Sequence, residues 1–105
     1  MMRPERNPAI VWRLEKKNYD AAWDAARNDE DDFEDQGVLT LMIKGGIHQL
    51  NLVGAEIWTR IDGVKDDAAI AAEMAELFGW EPAETIEAVQ AFLEGIASRG
   101  WVTLS

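Results

Sequence analysis

The segment from Val38 to Leu50 constrains this chain more than any other. Six β-prone residues, Val38-Leu39-Thr40-Leu41-Met42-Ile43, run into Lys44-Gly45-Gly46, and Ile47-His48-Gln49-Leu50 follows. Glycine reaches positive φ without a Cβ clash, so Gly45-Gly46 can supply a tight turn and fold the second run back on the first. An antiparallel hairpin is therefore the element around which the other segments are read. A third strand is expected over Ala9–Glu15, where Ile10, Trp12 and Leu14 alternate with Val11, Arg13 and Glu15.

Beyond the hairpin the period changes to that of helices. Asn51 can cap a helix running to about Ile61, with Val53, Ile57, Trp58 and Ile61 on one stripe and Asp62-Gly63 as its stop. Asp66 opens a second, carrying Ile70, Met74, Leu77 and Phe78 inward, and Gly79 ends it. Pro82 starts a third with Ile86, Val89, Leu93 and Ile96 toward the core, and Gly100 closes it. Residues 101–104 can add a terminal strand. The acidic stretch at 18–36 interrupts this order: eight of the sixteen residues from Asp20 to Asp35 are Asp or Glu. Its front half predicts a short helix, with Asn18 as N-cap and Tyr19 and Trp23 on one face. Its back half, Asn28–Gln36 with Phe33 embedded, reads as a mobile, dispensable charge run. The expectation is one α+β domain over residues 1–105, a small antiparallel three-stranded sheet packed on three helices, with an acidic insert at about 18–36.

Composition narrows the chemistry. Twenty acidic residues against ten basic ones give a net charge of −10; phosphate backbones bind Lys and Arg, so nucleic acid is disfavoured as a partner. Cysteine is absent, which excludes disulfides, thiolate metal sites and Cys nucleophiles and fits a reducing, cytoplasmic setting. The first eight residues lack an apolar run behind their two Arg, and no stretch is long enough to span a bilayer, so neither a signal peptide nor a membrane anchor is expected. The one histidine, His48, lies in a strand without a sequence partner, so it reads as a surface or groove residue rather than a catalytic one. The acidic run fails as an EF-hand: a loop starting at Asp32 puts Ile43 where a bidentate Glu is required. No catalytic residue, metal ligand or cofactor is assigned, and an enzyme is not expected.

What remains is a binding domain. Leu50-Asn51-Leu52-Val53-Gly54-Ala55-Glu56-Ile57-Trp58, then Ile61-Asp62-Gly63 and Ile70, then Val89, Phe92-Leu93 and Gly100, resembles the PqqD-like family, whose fold is also called the RiPP recognition element. The resemblance covers about residues 36–104 and, more weakly, the strand at 9–15. It implies a winged helix-turn-helix-like fold that binds a precursor (leader) peptide and presents it to a modifying enzyme, often a radical S-adenosylmethionine protein. In that mode the peptide pairs as an antiparallel strand with an open sheet edge, and its side chains enter a groove beside the last helix.

Carried onto this chain, the resemblance implies a peptide-binding site of Ile47, His48, Gln49 and Leu50 on the edge strand and Ala88, Val89, Phe92 and Arg99 on and after the last helix. Each apolar member would also serve an ordinary core. Phe92 lies to one side of the inward stripe, on the flank of Thr85, Ala88 and Arg99, where it either walls a groove or packs inside. Two departures stand out: Ala88 occupies a position that is often Asp in the family, and the link between the first two strands is normally short. An open edge could also pair two copies of the chain. A winged-helix nucleic-acid-binding or regulatory protein is the alternative that the same order of elements allows.

Overall fold

The computed structural model describes residues 2–30 and 34–105. Nine elements follow in order: β1 (Pro4–Arg6), β2 (Val11–Leu14), α1 (Lys16–Arg27), β3 (Leu39–Ile43), β4 (Gly46–Leu50), α2 (Leu52–Arg60), α3 (Asp67–Phe78), α4 (Pro82–Ser98) and β5 (Val102–Leu104). They fall into two compact units, one spanning Pro8–Glu56 and the other the N-terminal residues through Asn7 together with Ile57–Ser105.

The Pro8–Glu56 unit is built on an antiparallel sheet of order β2-β3-β4. Trp12 and Leu14 pair with Leu41 and Leu39, which pair in turn with His48 and Leu50. Side chains of directly opposed residues share a face, so this face holds the buried Leu39, Leu41 and Leu50. The first strand is shorter than its alternation suggested, ending at Leu14. The hairpin loop is Lys44-Gly45, because Gly46 already pairs with Ile43. Only Gly45 has positive φ, at 85°, as the second central residue of a type II turn requires.

Helix α1 begins two residues before the expected Asn18 cap. Its N-cap is Glu15, while Asn18 lies inside and donates from Nδ2 to the Gly37 carbonyl at 2.9 Å. What holds α1 is a buried carboxylate: Tyr19 Oη (2.8 Å) and Trp23 Nε1 (3.0 Å) both donate to Glu56 Oε2. The helix ends in a Schellman arrangement, with Glu30 N bonding Ala25 O and Asp29 in the left-handed region at φ 56°. Residues expected to trail loosely are thus tied to the helix end as far as Glu30. The expectation for Phe33 falls, with Asp31 and Asp32, outside the described residues.

The second unit joins α3, α4 and a two-stranded sheet of β1 and β5, paired antiparallel from Pro4–Leu104 to Arg6–Val102. The terminal strand was expected, but its partner was not: β1 is three residues containing Pro4, too short for any alternation to register. Asp67 bolts this unit together. Its Oδ1 accepts from Met2 N (3.0 Å) and its Oδ2 from Gln90 Nε2 of α4 (2.7 Å). Asp66 caps α3 by accepting from Ala69 N, and Gly79 ends it in the left-handed conformation, as the sequence predicts.

Helix faces differ in detail from the periodic reading. Ile70, Ala71, Met74 and Ala75 line the inner side of α3, whereas Leu77 is exposed. On α4 the buried stripe is Thr85, Val89, Leu93 and Ile96, with Ile86 only half-buried. Thr85 can turn inward because its hydroxyl donates to the Glu81 carbonyl at 2.8 Å, which satisfies the polar group within the helix itself. Among the described residues, no helix is long and apolar enough to cross a membrane.

Candidate functional site

Among the described residues, β4 pairs with another strand on one side only. Antiparallel pairs alternate between those that exchange both backbone hydrogen bonds and those that exchange none. The two-residue turn closes on a bonded pair, Ile43–Gly46, so Leu41–His48 and Leu39–Leu50 are bonded and Met42–Ile47 and Thr40–Gln49 are not. The bond from Glu15 N to Val38 O (2.7 Å) fixes the same alternation from the β2 side of β3. The N–H and C=O of Ile47 and Gln49 therefore point away from the sheet. This is what the sequence alone could not decide.

The four β4 residues assigned from the family resemblance are not equivalent. Ile47 is 72% exposed and ends an apolar row, Val11–Met42–Ile47, that crosses all three strands on the face opposite the core. Gln49 ends the neighbouring polar row, Arg13–Thr40–Gln49. There Gln49 Nε2 donates to Thr40 Oγ1 (3.3 Å), and Thr40 Oγ1 donates to Glu15 Oε2 (2.6 Å), which also pairs with Arg13. These donors hold the Glu15 carboxyl below the ordinary carboxylate range, the Thr40 hydroxyl first among them. His48 is exposed on the other face, beside Leu41, and Leu50 is buried.

In the other unit, Ala88 is exposed and Phe92 half-buried on α4. Val89 is 1% exposed, so it anchors the helix and presents nothing to a ligand. Arg99 is the C-cap residue, and its guanidinium lies 5.2 Å from the Trp101 ring. Ala88 also borders an apolar cleft of about 310 Å³ lined by Trp80, Glu81, Glu84 and Thr85. Nothing in the periodicity marked that cleft; the Trp80 that follows a helix stop was its only signal.

Sequence reasoning also missed a pocket of about 390 Å³ at the C-terminal end of β4, lined by Glu34, Asp35, Gln36, Gly37, Gln49, Leu50 and Asn51. Residues 34–37 are placed from both sides. Asn51 Nδ2 donates to the Glu34 carbonyl at 3.3 Å, and Asn18 Nδ2 holds that of Gly37. A Cβ at position 37 would meet the end of the Gln49 side chain, which would have to swing aside to admit one. Among the described residues, no cluster of His, Asp or Glu is arranged to hold a metal ion.

The mixed α+β fold matches that of a solved RiPP recognition element. The PqqD portion of Methylobacterium extorquens PqqCD, described as a functional and stand-alone RiPP recognition element, superposes with a TM-score of 0.65 at 15% identity, over 95% of this chain and 87% of that one. The family model for coenzyme PQQ synthesis protein D (PqqD) matches residues 36–102, and the chain belongs to that family. No curated protein matches its sequence. The matched span begins at Gln36, so β2 and α1 lie outside it.

Proposed function

We propose that this chain binds a precursor peptide as an added strand along β4 and, without chemistry of its own, presents it to a modifying enzyme. One observation carries the reading: Ile47 and Gln49 of a family member aim their backbone N–H and C=O groups out of an edge with which no described strand pairs. An exposed edge is an aggregation liability unless a partner uses it, and strand addition takes affinity from such groups and specificity from the neighbouring side chains. Exposed Ala88, half-buried Phe92 and Arg99 form a second candidate surface on the other unit, to be tested separately. The enzyme partner this reading implies is a modifying enzyme such as a radical S-adenosylmethionine protein, in the cytoplasm.

Charge argues against the nucleic-acid alternative. From Asp66 to Ser98 there are eight acidic residues and no Lys, Arg or His, so the helices a winged-helix protein would lay against DNA repel phosphate. The test is an amide titration with peptides selected on the full chain from a random library. Shifts centred on Ile47 and Gln49 are expected. A complex in which these amides do not move overturns the β4 assignment, and salt-sensitive DNA retention in a low-salt gel shift overturns peptide binding as the function. Self-association that moves the same amides without peptide would assign the edge to a second copy instead.

A further inference from the structure

Outer strands are ordinarily guarded by a charge or a proline that deters further pairing. β4 carries no Pro, Lys, Arg, Asp or Glu. Its exposed Ile47, whose backbone groups face outward, ends the apolar row Val11–Met42–Ile47. All three members of that row are exposed, and they are half of the large exposed apolar side chains among the described residues. The exposed apolar surface is thus gathered into a line that crosses the sheet and stops at β4. Gln49, at the end of the neighbouring polar row, differs: its side-chain amide already donates to Thr40 at 3.3 Å. Directly opposed side chains on one face are the pairs that stabilise a sheet. A strand laid along β4 therefore lengthens the apolar row by one side chain, the one opposite Ile47.

We infer that Ile47 is the residue through which this edge reads the peptide's sequence, selecting a β-branched or aromatic apolar residue opposite it. This selectivity rests on the strand-addition reading. Ile47 and Gln49 turn both backbone groups outward, so each forms a bonded pair with an antiparallel added strand, and His48 between them an unbonded one. Residue number in that strand falls as β4 number rises. The peptide residue opposite Ile47 therefore lies two places after the one opposite Gln49, and the residue between them turns to the other face, beside His48. An apolar side chain opposite Ile47 takes water off both partners and adds affinity. Opposite Gln49 the selection is weaker, because that side chain is engaged within the sheet.

The test selects peptides from a random phage library on the full chain and, separately, on Ile47→Lys. Residue 47 is exposed, so the substitution spares the core, and thermal melts verify that each protein is folded. In each complex the peptide residue whose Hα contacts that of His48 by nuclear Overhauser effect fixes the register, since an unbonded pair brings its Cα atoms to about 4.5 Å. The next peptide residue is the one opposite position 47. It should be β-branched or aromatic in peptides selected on the wild type, and Asp or Glu in those selected on Ile47→Lys, because opposite charges pair favourably across strands. Changing it to Ala should weaken binding to the wild type roughly two- to fivefold, the worth of one cross-strand pair. In Ile47→Ala that loss should vanish, as a double-mutant cycle reads. Peptides that shift the Ile47 and Gln49 amides yet show no preference at that place, or the same preference on both proteins, overturn the selectivity and leave strand addition standing. A complex that shifts them without the His48 contact does the same. Enriched peptides that bind without moving those amides, or a selection that enriches none, overturn strand addition and the selectivity with it.

Discussion

Two proline substitutions, one residue apart on β4, separate the inner side of the strand from its outer side. The Gln49 N–H points outward, so Gln49→Pro removes no ladder bond; it loses the 3.3 Å side-chain bond to Thr40. A long, partly exposed bond of that kind contributes at most about 1 kcal/mol, and proline is tolerated on edge strands whose N–H faces solvent. A domain of this size loses roughly 4–8 °C of melting temperature per kcal/mol, so Gln49→Pro should melt within that range of the wild type. The same change removes one of two outward donors and puts the proline ring where an added strand must lie, so peptide affinity should fall at least about tenfold, or ~1.4 kcal/mol. His48→Pro is the inverse. It deletes an N–H bonded to β3 in the middle of the ladder and strands the Leu41 carbonyl, at a cost of about 3 kcal/mol. Its melting temperature should drop well over 10 °C. Melts by circular dichroism and peptide titration by calorimetry read both effects. Equal destabilisation by the two prolines, or a greater loss for Gln49→Pro, would show that the alternation along β4 has been assigned backwards.

Asp29 holds a left-handed conformation at φ 56° just past the C-terminus of α1, where an acid also opposes the helix dipole. Asp29→Gly should raise stability by about 1 kcal/mol, seen as a melting temperature several degrees higher. The Asp67 carboxyl is held below its ordinary range, first by the hydrogen bond from Gln90 and also by that from Met2 N. Because its folded pKa lies below the unfolded one, its stabilisation is complete above about pH 4 and is lost as pH falls through the lower folded value. The gap in melting temperature between wild type and Asp67→Asn should accordingly be widest near neutrality and close on acidification. Phe92→Ala should cost about 2 kcal/mol, roughly half the price of a buried Phe, and leave the chain folded, whereas truncating Leu93, fully buried one residue on, should cost more. Denaturant unfolding ranks the two; equal losses would make Phe92 core and remove it from the candidate surface.

Several features were legible before any coordinates because their causes are local. The Gly45 turn needs one residue with positive φ, the caps at Asn51 and Asp66 each satisfy a backbone N–H three residues on, and Gly79 and Gly100 take up left-handed φ where α3 and α4 stop. Such signals are written within a handful of neighbouring residues. The family pattern was legible for the same reason, since its residues follow one another at short spacing.

Other features were decided by tertiary structure, because they join residues far apart in the chain. The pairing of β1 with β5 brings together Pro4 and Leu104. The Glu56 carboxylate that anchors Tyr19 and Trp23 lies more than thirty residues from either. Thr85 faces inward instead of Ile86 because a hydroxyl bonded to its own helix can be buried, which apolar periodicity does not count. Which β4 groups face outward follows from the register with β3, and the pocket at 34–37 exists because Asn18 and Asn51 draw the end of an acidic run against the edge strand. A run of charges reads as solvated when it is scored by composition; its place becomes visible only through its partners elsewhere in the chain.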